Sequence, residues 1–250
     1  MRRRRLFLPA PIVTGSVRPL DEPSRHYLRD VLRLDDGAEL IVFDGAGGAW
    51  EACLGRDQSG THALTIGARL PDTGADPPLP IVLVQALTHT RSIDEVVARA
   101  TEIGVETIIP VFSARGRVRL TAEHAGHRRS RWCAIATSAA RQCGRMRVPD
   151  CTEPFPLAHA LAALPAAVHG EQRILLSPEA PHPFAGEALE TPSRLVFMIG
   201  PEGGWTQEER ELASRYGFEP RRFGPRILRT GTAGLAVLAA AGVLWGDLGD

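Results

Sequence analysis

The residues best suited to chemistry lie in two short segments of the C-terminal third. The first is Ile199-Gly-Pro-Glu-Gly-Gly-Trp205. Gly200, Gly203 and Gly204 let the backbone approach a ligand closely, and Pro201 stiffens the turn. The segment has neither a Walker lysine nor GxGxxG spacing, so a phosphate cradle is not indicated. A flat, neutral group such as adenine, held by backbone amides, suits it. The second segment is Gly224-Pro-Arg-Ile-Leu-Arg-Thr-Gly-Thr-Ala-Gly-Leu235, where Arg226 and Arg229 flank Ile227 and Leu228. Two guanidinium groups beside a second glycine loop point to an anionic substrate, or to a transition state that gathers negative charge.

Other chemistry is thinly represented. No clear general base emerges: His26, His89 and Glu202 have suitable side chains, but a structural role suits each better. Cys53, Cys133, Cys143 and Cys151 form no CxxC pair and show no metal-ligand spacing with histidine. They read as reduced cytosolic thiols, and no metal is expected. The formal net charge is zero, from 29 basic and 29 acidic residues, so any affinity for nucleic acid must come from how charge is distributed. Every basic residue is arginine, which pairs phosphate with a two-pronged fork. A GC-rich genome accounts for the missing lysine but not for the clustering. Arg2, Arg3, Arg4 and Arg5 open the chain. From Arg115 to Arg147, nine arginines (Arg115, Arg117, Arg119, Arg128, Arg129, Arg131, Arg141, Arg145, Arg147) stand against Glu123 alone, a pattern that fits a phosphate backbone.

These residues need elements to position them. The stretch Pro71–Pro80 holds four prolines and a glycine and reads as a break between domains. Before it, ELIVFDG, AWEACLG and HALTIGARL are short, alternating strands, with a hairpin turn at Asp44–Gly48 and one helix over Ser24–Leu32. After it, the apolar runs IVLVQAL, TIIPVF, RILLSP and RLVFMIG read as buried parallel strands. Between them, Ser92-Ile-Asp-Glu95 and Thr206-Gln-Glu-Glu209 are capping boxes that open helices ending near Gly104 and Gly217. A long helix is expected from Thr121 to Cys143, and an almost wholly apolar one from Thr230 to Leu244 that should be buried. Strand–helix alternation predicts an α/β domain with a parallel sheet. The boundaries are residues 1–72 for a small β-barrel-like domain, 73–80 for the linker and 81–250 for the α/β domain. The arginines at the start are followed by a stretch broken by Pro9 and Pro11, which fails as a signal peptide. The longest apolar run, Thr232–Trp245, is too short to span a bilayer. A cytoplasmic protein with no membrane partner is expected.

Taken together, IGPEGG and GPRILRT resemble the signatures of the ribosomal RNA small subunit methyltransferase E family, within the SPOUT or α/β-knot methyltransferases. RRLFLP, HYLRDVLRLDDGAELIVFDG, ATEIGVETIIPVFSAR and RWCAIATSAARQCGRMRVP extend the likeness, in order, over nearly the whole chain. The resemblance implies a PUA-like RNA-binding barrel followed by a trefoil-knot parallel sheet with helices on both faces. It implies S-adenosylmethionine held by three loops. Carried onto this chain, these supply Leu176, Ser177 and Glu179; Ile199, Gly200, Gly203 and Gly204; and Ile227, Leu228, Thr230 and Ala233. It also implies a homodimer that methylates N3 of one uridine in 16S ribosomal RNA of the small subunit. Arg229 is the candidate for stabilising charge on the uracil, and Arg5, Arg141, Arg145 and Arg147 are candidates for RNA contact.

Two positions depart from the family pattern. Gly231 stands where glutamate is usual, and Arg91 where lysine is common. Gly231 motivates one alternative, a noncatalytic RNA-binding or assembly factor; a second is a knot methyltransferase acting on another RNA. A nicotinamide oxidoreductase is excluded by the missing dinucleotide fingerprint.

Overall fold

The structure is a computed structural model that describes residues 3–72, 74–88, 90–116, 118, 122–184 and 191–249, with the backbone alone at 90–92 and 122–123. Arg2, His89, Arg117 and Arg119 lie outside the described residues. So does the side chain of Ser92, and with it the first expected capping box. The chain divides into two compact units, residues 1–76 with 140–148, and residues 77–139 with 149–250.

The first unit is built on a five-stranded sheet. Its strands are β1 (Arg4–Phe7), β2 (Val17–Pro19), β3 (Glu39–Phe43), β4 (Ala49–Arg56) and β5 (His62–Arg69), in the order β1-β3-β4-β5-β2. β1 runs parallel to β3 and every other pairing is antiparallel. No pairing of β1 with β2 closes this sheet into a ring among the described residues. Alternation puts Leu40, Val42, Trp50, Leu54, Leu64 and Ile66 into one core with Leu6 and Leu28. Each such fully buried side chain contributes roughly 1.5–3 kcal/mol. The expected Asp44–Gly48 turn joins β3 to β4, with the Asp44 carboxylate accepting from the amides of Ala46 and Gly48. The helix expected over Ser24–Leu32 is instead a short α1 (Glu22–His26), capped by Asp21, that widens into a π-helical turn over Tyr27–Val31. Leu28, within that turn, is fully buried in the core.

The second unit has a parallel sheet. Its strands are β6 (Ile81–Ala86), β7 (Thr107–Phe112), β8 (Asp150–Cys151), β9 (Phe155–Pro156), β10 (Glu171–Leu176), β11 (Arg194–Ile199) and β12 (Phe218–Arg221). The order is β12-β10-β11-β6-β7-β8, with β9 beside β7. β6 is buried at all its positions, as its unbroken apolar run requires. The helices are α2 (Thr90–Ile103), α3 (Ala122–Cys143), α4 (Leu157–Ala162), α5 (Gln207–Arg215) and α6 (Thr230–Trp245). α4 and α5 cover the face bearing Val82, Val84, Leu175, Val196 and Met198. α6 covers the other face, and a side chain at its Gly234 would meet Gln85, Leu83 and Ile199. α2 packs on α6.

Local chemistry fixes the helix ends. Gly104 stops α2 with φ +110°, and a Cβ there would lie 2.3 Å from Pro77. The expected capping box at Thr206 is formed: its hydroxyl accepts from the Glu209 amide, and the Glu209 carboxylate accepts from the Thr206 amide. α6 departs from expectation in being only half-buried. Gly234, Val237, Leu238 and Ala241 face the sheet, whereas Val243 is 57% and Leu244 49% exposed. An apolar composition does not by itself bury a helix when only one of its faces has a sheet to cover. No described helix is long and apolar enough to cross a membrane.

Candidate active site

A cavity of about 320 Å³ opens at the carboxyl ends of β10 and β11, beside the N-terminus of α6. This is where open parallel sheets bind ligands, because loops leaving adjacent strands diverge there. Three segments line it: Leu176–Glu179 after β10, Ile199–Trp205 after β11, and residues 223–233 leading into α6. All eleven residues expected to hold a cofactor border this one space: Leu176, Ser177, Glu179, Ile199, Gly200, Gly203, Gly204, Ile227, Leu228, Thr230 and Ala233.

The segments hold one another in place. The Ser177 amide donates to the Arg221 carbonyl at 3.0 Å, and the Phe184 amide to the Arg222 carbonyl at 2.8 Å. The Phe184 ring packs against Phe197, Phe223 and Trp245, with centroids 5.7–5.8 Å apart. Phe223 itself lines the cavity, so this aromatic cluster braces the wall. The glycine loop turns through the Gly204 amide, which donates to the Pro201 carbonyl at 2.8 Å with Gly204 at φ +69°. Beneath the loop lies Trp205, 3% exposed, its indole nitrogen 3.0 Å from where a Cβ on Gly200 would stand. Gly200 therefore permits the close approach of loop and indole.

Charge surrounds the opening. Arg115, Arg210 and Arg226 line it together with Glu179 and Glu202. The Arg115 guanidinium donates to the Gly203 carbonyl at 2.7 Å. At the start of α5 the Glu208 carboxyl is held below its ordinary range, first by a hydrogen bond from its own backbone amide and then by the Thr206 hydroxyl. Arg229 is exposed and is the N-cap of α6, with no side-chain capping bond; it is not among the lining residues, whereas both its neighbours Leu228 and Thr230 are. Arg115 and Arg210 were not singled out as site residues by sequence. Arg115 is one of nine arginines in a basic run and Arg210 sits one turn inside α5, and neither belongs to a motif that marks a site. His26 lies in the first unit, paired with Asp30 at 2.9 Å. Glu202 borders the cavity.

The four arginines expected to touch RNA all belong to the first unit. Arg5 donates to the Arg145 carbonyl at 2.8 Å and lies over the Phe43 ring. Arg141 stacks on Tyr27 at 3.8 Å. Arg145 is in a buried ion pair with Asp76 at 3.0 Å, so its charge is already matched. The Asp76 carboxylate also accepts from the amides of Met146 and Arg147, and the Arg147 side chain is exposed against Gly47. The four cysteines are free. Burial pushes the Cys151 thiol up to about 12. No cluster of His, Cys, Asp and Glu side chains fit to hold a metal occurs among the described residues.

Known proteins with this sequence pattern and fold are specific in kind. A family model described as an RNA methyltransferase domain matches residues 75–242, and one described as an RNA methyltransferase PUA domain matches residues 20–59. The ribosomal RNA small subunit methyltransferase E of Synechocystis is 32% identical over 98% of this chain and 78% of its own length. A crystal structure of the same-named enzyme from Neisseria gonorrhoeae, bound to S-adenosylmethionine, superposes with a TM-score of 0.87 at 33% identity, covering 98% of this chain and 99% of that one. A Legionella pneumophila protein, solved with S-adenosylmethionine bound, gives a TM-score of 0.87 at 28% identity, covering 99% of this chain and 100% of that one.

Proposed function

The chain belongs to the ribosomal RNA small subunit methyltransferase E family, and on that premise we propose that it transfers a methyl group from S-adenosylmethionine to N3 of one uridine in 16S ribosomal RNA. The observation that carries this reading is the gathering of all eleven expected cofactor residues, from three distant segments, around one cavity.

The residues present fit the cofactor. The cavity lies in the size range of small-molecule sites. Leu176, Ile199, Leu228 and Ala233 offer apolar walls for an adenine ring, while the glycines leave backbone polar groups within reach. Glu179 and Glu202 supply carboxylates for hydroxyls or for a positive centre. When bound, the cofactor supplies a methyl group on a positively charged sulfur.

The chain's own residues prepare the acceptor. Uracil N3 lies on the pairing edge and carries a proton, so the base must be unpaired and turned out of its stack. Loss of that proton spreads negative charge over O2 and O4. Arg229, at the positive end of α6, is the candidate to hold this charge, with Arg226, which lines the cavity, three residues before it. The N3 lone pair then forms the new N–C bond as the S–C bond breaks, in line, and the proton passes to solvent or to a carboxylate at the cavity. In this reading Arg5, Arg141 and Arg147 contact RNA from the first unit, and Arg145 holds the chain that bears Arg147. The exposed apolar residues Val243 and Leu244 near the end of α6 support a homodimer in which a second copy covers them, and we place its action in the cytoplasm.

Gly231 supports one competing reading, an RNA-binding factor without turnover. Among the described residues, only Val96 stands near its missing side chain, at 3.3 Å from a Cβ built there. Labelled methyl transfer to small subunits lacking the modification, with the product base identified by mass spectrometry, decides between the two. A single N3-methyluridine supports the enzyme. Cofactor binding without transfer supports the factor.

A further inference from the structure

The glycine loop is tied to a second loop that none of the expected site residues belong to. Ser113–Gly116 follows β7 and closes as a tight turn, its Gly116 amide donating to the Ser113 carbonyl at 3.1 Å. The turn is firmly seated. A Cβ on Gly116 would lie 2.8 Å from the Ser113 hydroxyl and 3.1 Å from the Leu87 carbonyl at the end of β6. From this base one bond reaches the glycine loop directly, and another reaches its C-terminal end through Glu209 of α5. The Ala114 amide donates to one oxygen of the Glu209 carboxylate at 2.7 Å, and the other oxygen accepts from the Thr206 amide at 2.8 Å. Arg115 donates to the Gly203 carbonyl at 2.7 Å, and its stem covers Gly203 at 3.4–3.5 Å from where a Cβ would stand. Thus Glu209, on α5, ties the loop's C-terminal end to a turn seated on the sheet, and Arg115, from that turn, holds Gly203.

We propose that Arg115 and Glu209 are positioning residues for the cofactor. They set the backbone of Gly200–Gly204 in its binding shape before the ligand arrives. A loop of three glycines and one proline has many conformations of its own, and freezing them on binding costs affinity unless the fold has frozen them already. A carboxylate accepting from two amides at once cannot be replaced by an amide, because one of the two donors then faces an NH2 group. A guanidinium across a carbonyl is likewise poorly replaced by a neutral stem. The inference rests on the methyltransferase reading of the cavity, with S-adenosylmethionine as its ligand.

The test is calorimetric binding of S-adenosylmethionine to the full chain and to Glu209→Gln, Arg115→Ala and Arg115→Lys, with thermal unfolding and affinity for small-subunit RNA measured alongside. The two severe variants should each raise the cofactor Kd about fivefold, equivalent to about 1 kcal/mol. Arg115→Lys, which keeps a donor, should recover part of the loss. RNA affinity in Glu209→Gln should stay within twofold. Since both residues fix one loop, the double variant should fall short of the product of the single effects. Cofactor Kd values within twofold of the parent, with lowered Tm, would make both residues merely structural and overturn the proposal. A selective loss of RNA affinity in Arg115→Ala at unchanged cofactor Kd would overturn it too, assigning Arg115 to the RNA instead. If the parent chain itself fails to bind S-adenosylmethionine, the reading of the cavity falls and the positioning role with it.

Discussion

Arg229 occupies the N-cap of α6 without using its side chain to cap it, which makes it a clean probe of chemistry. Arg229→Ala should lower kcat on small subunits by about a hundredfold or more, the scale of removing one donor to developing charge. Cofactor Kd should stay within twofold and Tm within about two degrees. Retained turnover would move the role to Arg226, which lines the cavity. Cys151 tests a different property. Its thiol ionises at about 12 in the folded chain, against an ordinary value of 9.0, because burial disfavours the thiolate. The stability it confers is whole below pH 9, where both forms are protonated, and is lost as pH rises from 9 towards 12. The urea midpoint should therefore fall between pH 8 and pH 10.5, and fall less in Cys151→Ala; equal falls would show that other groups govern the alkaline limb. At this scale the glycine segment Ile199–Trp205 was legible because three glycines stand between a buried strand and a capped helix, a pattern local to the sequence. The hold of Arg115 on Gly203 and of Glu209 on Ala114 was not, since these partners are backbone groups 88 and 95 residues away, and sequence carries no sign of such pairings.

Elements were readable wherever a local rule decides them. The Thr206 capping box needs only residues three apart, and β6 needs only an unbroken apolar run. α6 was harder, because a helix apolar on every side has no period from which to choose a buried face. Its choice is made by fit: Gly234 lets the helix settle over Gln85, whose side-chain oxygen stands 2.9 Å from where a Cβ would be. Gly234→Ala should destabilise the chain by about 1–3 kcal/mol despite alanine's better helix propensity, since Gln85 is 1% exposed and has little space to yield. Adding Gln85→Ala should return part of that loss. Strict additivity in chemical denaturation would show that the two do not compete for one space.

At the scale of the whole molecule, the proposed homodimer would cover the exposed apolar residues near the end of α6. Val243 and Leu244 are too exposed for an apolar helix in water. Sedimentation should give twice the chain mass, and Val243→Asp should give the single chain; a parent that sediments as a single chain would remove the homodimer. The division into units was only partly legible. The proline-rich stretch marks the first crossing, between residues 76 and 77, but nothing in composition marks Ala140–Val148 as belonging with the N-terminal strands. There Ala140, Met146 and Val148 pack with Phe43, Ala49 and Phe7. That returning stretch sets an order on synthesis. As the chain leaves the ribosome, the five strands emerge first but lack the pieces that complete their hydrophobic interior until much of the second unit has also been made. The first unit of this protein is therefore begun first and finished late, with an unfilled apolar surface that a nascent chain must keep from other partners in the meantime.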